Sequence, residues 1–233
     1  MPNGWSGELW IGTRMAVHEG TTGDANNHAH YAHQVLRGIN GMVSVAVESD
    51  VVYAACVLIP SMAKHRIHAN NAPIFSVFTE PLAIMETALY ESVMMANLDI
   101  DSVFNSVAKA IESAAASEGT ALGVDARVYS ALCEIDAQIG EKVSAGAVAK
   151  RAAISLSQLE RLFRQQVGIS VRRLVLWRRV ILAINILSQG GSLTQAAYLA
   201  GFTDSAHFSR TIKMMFGVNA NASLKNLKIT VKL

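Results

Sequence analysis

Two stretches decide how this 233-residue chain folds: Leu156-Ser157-Gln158-Leu159-Glu160-Arg161-Leu162-Phe163-Arg164-Gln165-Gln166-Val167-Gly168, and Ser205-Ala206-His207-Phe208-Ser209-Arg210-Thr211-Ile212-Lys213-Met214-Met215-Phe216-Gly217. In the first, Leu156, Leu159, Leu162 and Phe163 recur at helical spacing and form one apolar face. Ser157, Arg161, Arg164 and Gln165 lie opposite, with Gln158 and Glu160 on the flanks. Ser155, with Gln158 three residues on, reads as a capping box that starts the helix, and Gly168 ends it. In the second stretch, Phe208, Ile212 and Met215 face a core while Ala206, Arg210 and Lys213 face away.

Each stretch follows a shorter helix and a tight turn. Ala145 to Ala152 and the pair Ala153-Ile154 precede the first; Leu193 to Ala200, capped by Ser192 and Gln195, and the pair Gly201-Phe202 precede the second. A helix, a turn of a few residues and a second helix with a polar outer face make a helix-turn-helix unit. The unit occurs twice. At a shift of 49 residues Leu159 falls on Phe208, Arg161 on Arg210, Arg164 on Lys213 and Gly168 on Gly217. An internal repeat is harder to obtain by chance than either unit alone. Between the units, Val171 to Leu187 reads as one long apolar helix, with Arg172, Arg173, Arg178 and Arg179 adding positive charge.

The formal charge of +2 hides an asymmetry: residues 127–233 carry 15 Lys and Arg against 5 Asp and Glu, whereas residues 1–126 carry 5 against 13. A basic half of this size implies a polyanionic partner. A helix of this kind fits the major groove of DNA. There Arg offers two hydrogen bonds to guanine and Gln two to adenine. A lone surface arginine is usually just a solvated charge. Two at matched places in a basic repeat point to nucleic acid.

With those residues identified, residues 143–217 resemble the AraC-type DNA-binding domain. The resemblance rests on Leu159-Glu160-Arg161-Leu162-Phe163-Arg164, on Gly168 with Leu176-Trp177-Arg178-Arg179, on Ala200-Gly201-Phe202-Thr203-Asp204-Ser205-Ala206-His207-Phe208-Ser209-Arg210, and on Phe216-Gly217. It implies double-stranded DNA as partner. By position it implicates Ser157, Gln158, Arg161, Arg164 and Gln165 in the first unit, and Ala206, His207, Arg210 and Lys213 in the second. The family's proline three residues after the second glycine is replaced by Ala220, so the end of the domain is expected to be reorganised.

The N-terminal half reads differently. Val43 to Val47 alternates as a half-buried strand does. Val51 to Ile59 and Ile74 to Phe78 are apolar and β-rich, and Gly38, Gly41, Pro60, Asn70-Asn71 and Pro73 punctuate them. In a strand, His28 and His30 of His28-Ala29-His30-Tyr31-Ala32-His33-Gln34 point to one face. A third histidine from another strand, His65, completes a set of metal-capable ligands. The pattern is similar to a cupin barrel of the kind that precedes AraC-type domains. It implies an effector pocket lined by His28, His30, Gln34 and His65, with Met62 where the cupin pattern has glycine. No metal or other cofactor is assigned, His28, His30 and His65 being the metal candidates. His18 and His33 read as solvated or edge positions, Cys56 as core, and Met94-Met95 as packing or subunit contact.

The expected fold is α+β. A cupin-like sensor barrel spans 1–81, a helical segment with a linker at Ser117 to Gly123 and a role in dimerisation spans 82–124, and an all-α double helix-turn-helix domain spans 125–233. The expected function is a DNA-binding transcription regulator responsive to a small-molecule effector, with RNA polymerase and a second copy of the chain as protein partners. The residues leave two alternatives open: a metal-dependent cupin enzyme or metal sensor fused to a DNA-binding domain, and a regulator that acts without ligand. For an enzyme, only Glu19 and Asp24 stand near the histidines as acidic partners; no nucleophile triad or phosphate loop is present in the sequence. Two cysteines, Cys56 and Cys133, form no disulfide framework. With no secretory signal and no apolar run of bilayer length, a cytoplasmic location without membrane association is expected.

Overall fold

The computed structural model describes residues 5–23, 25–68, 70–117 and 123–232. The linker read at Ser117 to Gly123 therefore falls mostly outside the described residues, as does Asp24. The strands are β1 (Ser6–Gly12), β2 (Met15–Thr22), β3 (His33–Gly38), β4 (Val43–Val47), β5 (Asp50–Ala54), β6 (Cys56–Ile59), β7 (His65–Ile67) and β8 (Asn70–Thr79). Next come the helices α1 (Glu86–Met95), α2 (Ile100–Ser117), α3 (Ala126–Ala137), α4 (Ala145–Arg151), α5 (Leu156–Leu162), α6 (Val171–Ser188), α7 (Leu193–Leu199), α8 (Ser205–Phe216) and α9 (Ala220–Leu224), and the chain ends on β9 (Leu227–Val231).

The chain divides into two compact units. One comprises residues 1–121 together with 212–233; the other spans 122–211. The sequence alone puts everything after residue 125 in one helical domain. The structure instead returns the C-terminal segment to the N-terminal sheet, where β9 pairs in parallel with β1 from Gly7 opposite Leu227 to Ile11 opposite Val231. Side chains support that pairing. The Lys228 ammonium donates to Glu8 at 2.8 Å, and Lys232 sits 3.7 Å from the centre of the Trp10 ring. A strand laid on β1 also covers an edge that would otherwise present unpaired backbone groups.

Among the described residues the strands form two sheets, β6-β3-β8-β2-β1-β9 and β5-β4-β7, rather than one closed barrel. The single apolar run Val51 to Ile59 breaks at Ala55, whose carbonyl accepts from Gly38 N–H at 2.9 Å, so β5 and β6 go to different sheets. On one face of the larger sheet, Trp10, Val17, Phe75 and Val77 pack with Leu89 and Val93 of α1 and Val103 and Val107 of α2. Each such fully buried side chain contributes about 1.5–3 kcal/mol. The Arg37 guanidinium of β3 donates to the carbonyls of Val93 and Ala96 and closes the C-terminal end of α1. The segment read as a dimerisation element thus packs on its own sheet through one face. Met95 projects from it and is exposed.

The second unit is helical throughout, as its periodicity predicts. Serine caps start α4 (Ser144), α5 (Ser155), α6 (Ser170) and α7 (Ser192), each accepting from a backbone N–H in the first turn. At α7 both halves of the capping box form, because the Gln195 side chain also accepts from Ser192 N–H. The helix read from Leu156 to Val167 is α-helical to Leu162 and then winds into one π turn, Phe163–Val167. No helix among the described residues is long and apolar enough to cross a membrane.

Candidate nucleic-acid interface and histidine cluster

The two second helices share one construction. α8 matches α5 plus the π turn residue for residue at the 49-residue shift. Leu159 and Phe208 are both fully buried, and Phe163 and Ile212 are buried as well. On the outer side Ser157, Arg161, Arg164 and Gln165, and Ala206, Arg210 and Lys213, are exposed; Gln158 and His207 are half-exposed. Every position read from the sequence as facing outward therefore does so. The outer side chains are also ordered locally. Arg161 donates to Gln165 at 3.3 Å, one helical turn on. The Asp204 carboxylate accepts from His207 N–H at 2.6 Å and caps α8, a contact that holds the Asp204 carboxyl below its usual range.

The helix between the units carries a mixed set of cations. Arg172 is exposed. Arg178 instead pairs with Asp136 at 3.4 Å, and Arg179 donates to the Glu141 carbonyl at 2.7 Å. The Arg179 guanidinium also lies 3.0 Å from where a Cβ on Gly201 would stand. Arg178 and Arg179 thus brace the helical unit, a role their place in an apolar helix conceals in the sequence.

In the sheet unit, His28, His30, Gln34 and His65 come together. His28 and His65 face each other across an isolated antiparallel bridge, each N–H donating to the other's carbonyl at 2.9 Å. The segment from His28 to Ala32 is not a regular strand; β3 starts only at His33. The ring centres of His28 and His65 are 4.0 Å apart, and those of His30 and His65 are 4.9 Å apart. All three rings are buried. Each places Nδ1 on a main-chain carbonyl: His28 on Asn26 at 2.8 Å, His30 on Ala32 at 3.2 Å, His65 on Ala63 at 3.0 Å. The Gln34 amide donates to Ser76 Oγ at 2.7 Å and holds Oε1 3.2 Å from His30 Nε2. Burial lowers the basicity of every ring, His28 to about 4, and the neighbouring imidazoles push His28 and His30 down further. The cluster is therefore neutral near pH 7.

The outcome differs for the other histidines. His18 is fully buried in β2, its Nε2 3.1 Å from the Ser6 carbonyl, and packs on Trp5. His33 is buried too, its Nδ1 accepting from Ser61 N–H at 3.1 Å and lying 3.1 Å from Glu86. Both leave solvent because β2 and β3 are interior strands of the larger sheet. Met62, where the cupin pattern has glycine, takes a left-handed φ of 66° and donates its N–H to the His30 carbonyl at 2.9 Å. Sequence reasoning missed the residues that close the cluster. Phe216, last residue of α8, stands with its ring 5.7 Å from that of His30, and Asn26 N–H donates to the Gly217 carbonyl at 2.9 Å. Gly217 is left-handed at φ 70°, and a Cβ there would stand 2.3 Å from the Asn26 carbonyl oxygen. The glycine is visible as a repeat position; its partner nearly two hundred residues away is not.

Comparisons place these features. A family model described as a helix-turn-helix domain matches residues 148–226. The HTH-type transcriptional activator RhaS of Escherichia fergusonii is 34% identical over 94 residues, which are 40% of this chain and 34% of that protein. Residues 148–226 are thus similar to the helix-turn-helix domain of that transcriptional activator. The chain spans only about a third of the length of the curated relatives it matches. Beyond that domain the likeness is one of fold: a structure of ToxT from Vibrio cholerae, 13% identical, covers 92% of this chain and 99% of its own with a TM-score of 0.58. Another ToxT structure, bound to an unsaturated fatty acid, is 12% identical and covers 88% of this chain and 92% of its own with a TM-score of 0.52.

Proposed function

We propose that this chain is a transcription regulator of the AraC family that reads two successive major-groove segments of double-stranded DNA, one with α5 and one with α8. The observation that carries the reading is the pair of matched outer faces, Arg161 and Arg164 on one helix and Arg210 and Lys213 on the other. Arg161 and Arg210 are the base readers. Ser157, Gln158, Gln165, Ala206 and His207 complete the two faces, and Arg164 and Lys213 hold phosphates. RhaS is named a transcriptional activator, and its likeness covers this domain. The work is done in the cytoplasm, with RNA polymerase and a second copy of the chain as partners and without catalysis.

The N-terminal sheet is the sensing part, and its effector binds at His28, His30, Gln34 and His65. ToxT, similar in fold, is recorded with a bound fatty acid, which supports an effector role for a domain of this shape. Phe216 and Gly217, which follow the outer residues of α8 in sequence, border the cluster. A ligand that favours one arrangement of this border shifts DNA affinity by its differential affinity for that arrangement. The test of DNA binding is its salt dependence on a selected duplex. With 6–10 phosphates neutralised, affinity falls by about 10³–10⁵ between 50 and 200 mM salt. A flat isotherm across that range refutes the proposal.

A further inference from the structure

We propose that Thr203 and Asp204 are positioning residues that hold the His207 imidazole in the tautomer with its proton on Nδ1, leaving Nε2 as an acceptor that reads the exocyclic amino group of an adenine or a cytosine. The base contact rests on the reading of α8 as a groove-reading helix; the tautomer stands on the local geometry alone.

Three polar groups meet at the start of α8. Thr203 Oγ1 lies 3.1 Å from His207 Nδ1 and 3.4 Å from Asp204 Oδ2, and Asp204 Oδ1 accepts from the His207 backbone N–H at 2.6 Å. That N–H, then the Thr203 hydroxyl and the Arg210 charge, hold the Asp204 carboxyl below its usual range. It is therefore ionised near pH 7 and can only accept. The Thr203 hydroxyl has one proton. Given to the carboxylate, the stronger charged acceptor, it leaves oxygen lone pairs toward His207, and that contact then needs a proton on Nδ1. Given to His207 instead, it leaves the Thr203 and Asp204 oxygens face to face as two acceptors. Only the Nδ1–H tautomer makes both bonds. The ring also packs edge-on against the buried Phe202, with 5.2 Å between centres. It is half-exposed, and its Nε2 has no hydrogen-bond partner among the described residues.

An imidazole so held offers the groove a lone pair and no proton. In the major groove the amino donors are adenine N6 and cytosine N4, whereas guanine O6 and N7 and thymine O4 are acceptors that this nitrogen cannot satisfy. The first repeat lacks the device. At the 49-residue shift Thr203 falls on Ile154, Asp204 on Ser155 and His207 on Gln158. Ile154 has no hydroxyl, and the Gln158 amide keeps both donor and acceptor. The second head thus has a fixed hydrogen-bond polarity where the first has an adaptable one.

Long-range proton–nitrogen correlation spectra of the full chain at about pH 8, where an ordinary imidazole is neutral, read the tautomer; His207→Gln identifies the signal. A free imidazole in water favours Nε2–H. His207 is expected to show Nδ1–H, to keep it in Thr203→Ser, and to revert in Thr203→Val, which retains the branched shape without the hydroxyl. Predominant Nε2–H in the parent overturns the proposal. Base reading is measured on a selected duplex by replacing, one base pair at a time, adenine with purine or cytosine with a pyrimidinone, each change deleting one amino group. At one pair the deletion should weaken the parent by about 2–10-fold, the worth of one hydrogen bond, and should leave His207→Ala unaffected beyond the cost shared by both. If no amino deletion separates parent from His207→Ala, or if a deazapurine lacking N7 does so instead, the base contact is overturned. A parent that binds its duplex with Nε2–H defeats the tautomer lock and leaves the regulator reading standing. A chain that shows Nδ1–H and binds no duplex defeats the regulator reading and leaves the lock standing.

Discussion

The two helix-turn-helix repeats solve the same geometrical problem with different residues, and the differences show which positions the fold dictates. Where each second helix ends, both use glycine: Gly168 at φ 83° and Gly217 at φ 70°. At the turn between helices they diverge. The second repeat turns on Gly201 at φ 79°; the first puts Ala153 into the same left-handed region at φ 54°. Alanine there carries a Cβ against the preceding carbonyl, at a cost of about 1–2 kcal/mol. The segments after the two repeats differ most. Gly168-Ile169-Ser170 leads into the 18-residue α6, capped by Ser170, whereas Gly217-Val218-Asn219 leads into the five-residue α9, capped by Asn219. The cap and the buried apolar residue before it are retained. The long helix is not, and the chain goes on instead to pair with β1 as β9. The first repeat thus continues into the helix that joins the reading heads, and the second into the edge strand of the larger sheet.

Loss of either reading arginine tests the functional equivalence of the repeats. Arg161→Ala and Arg210→Ala should each cost about 1–3 kcal/mol at a selected duplex, and each should relax preference at a different set of base pairs. Competition binding against single-base variants measures both. A loss confined to one arginine would make the other repeat a mere phosphate clamp. A smaller effect should separate the turns. Gly201→Ala places a Cβ near Arg179 on a left-handed backbone and should destabilise the chain by about 1–2 kcal/mol, while Ala153→Gly should stabilise it by about 0.5–1 kcal/mol. Denaturant unfolding reads both; equal and like-signed effects would mean the turns are not equivalent in strain.

Legibility tracked the range of the interactions. The repeat, its caps and its buried faces were readable because helical periodicity and Ser-to-Gln capping act over three or four residues. β4 was readable from its alternation alone, Val43 to Val47. The convergence of His28, His30, Gln34 and His65 was legible from the spacing of histidines and its likeness to cupins. Closure of the sheets was not, because the division of Val51 to Ile59 between two sheets depends on a backbone bond from Gly38. The burial of His18 and His33 was hidden because a strand's interior place is set by its neighbours, not its own residues. β9 was the hardest. Leu227 to Val231 is short and flanked by lysines, and its partner β1 lies at the other end of the chain. The same separation hid Phe216 as a wall of the histidine cluster.

The central claim, two reading heads on one face of DNA, is tested most directly by a hydroxyl-radical footprint of the full chain on its selected duplex. The account predicts two protected segments with centres about one helical turn apart, roughly 34–36 Å, with Arg161→Ala weakening one and Arg210→Ala the other. Protection confined to a single groove segment, unchanged in position by either substitution, would contradict it.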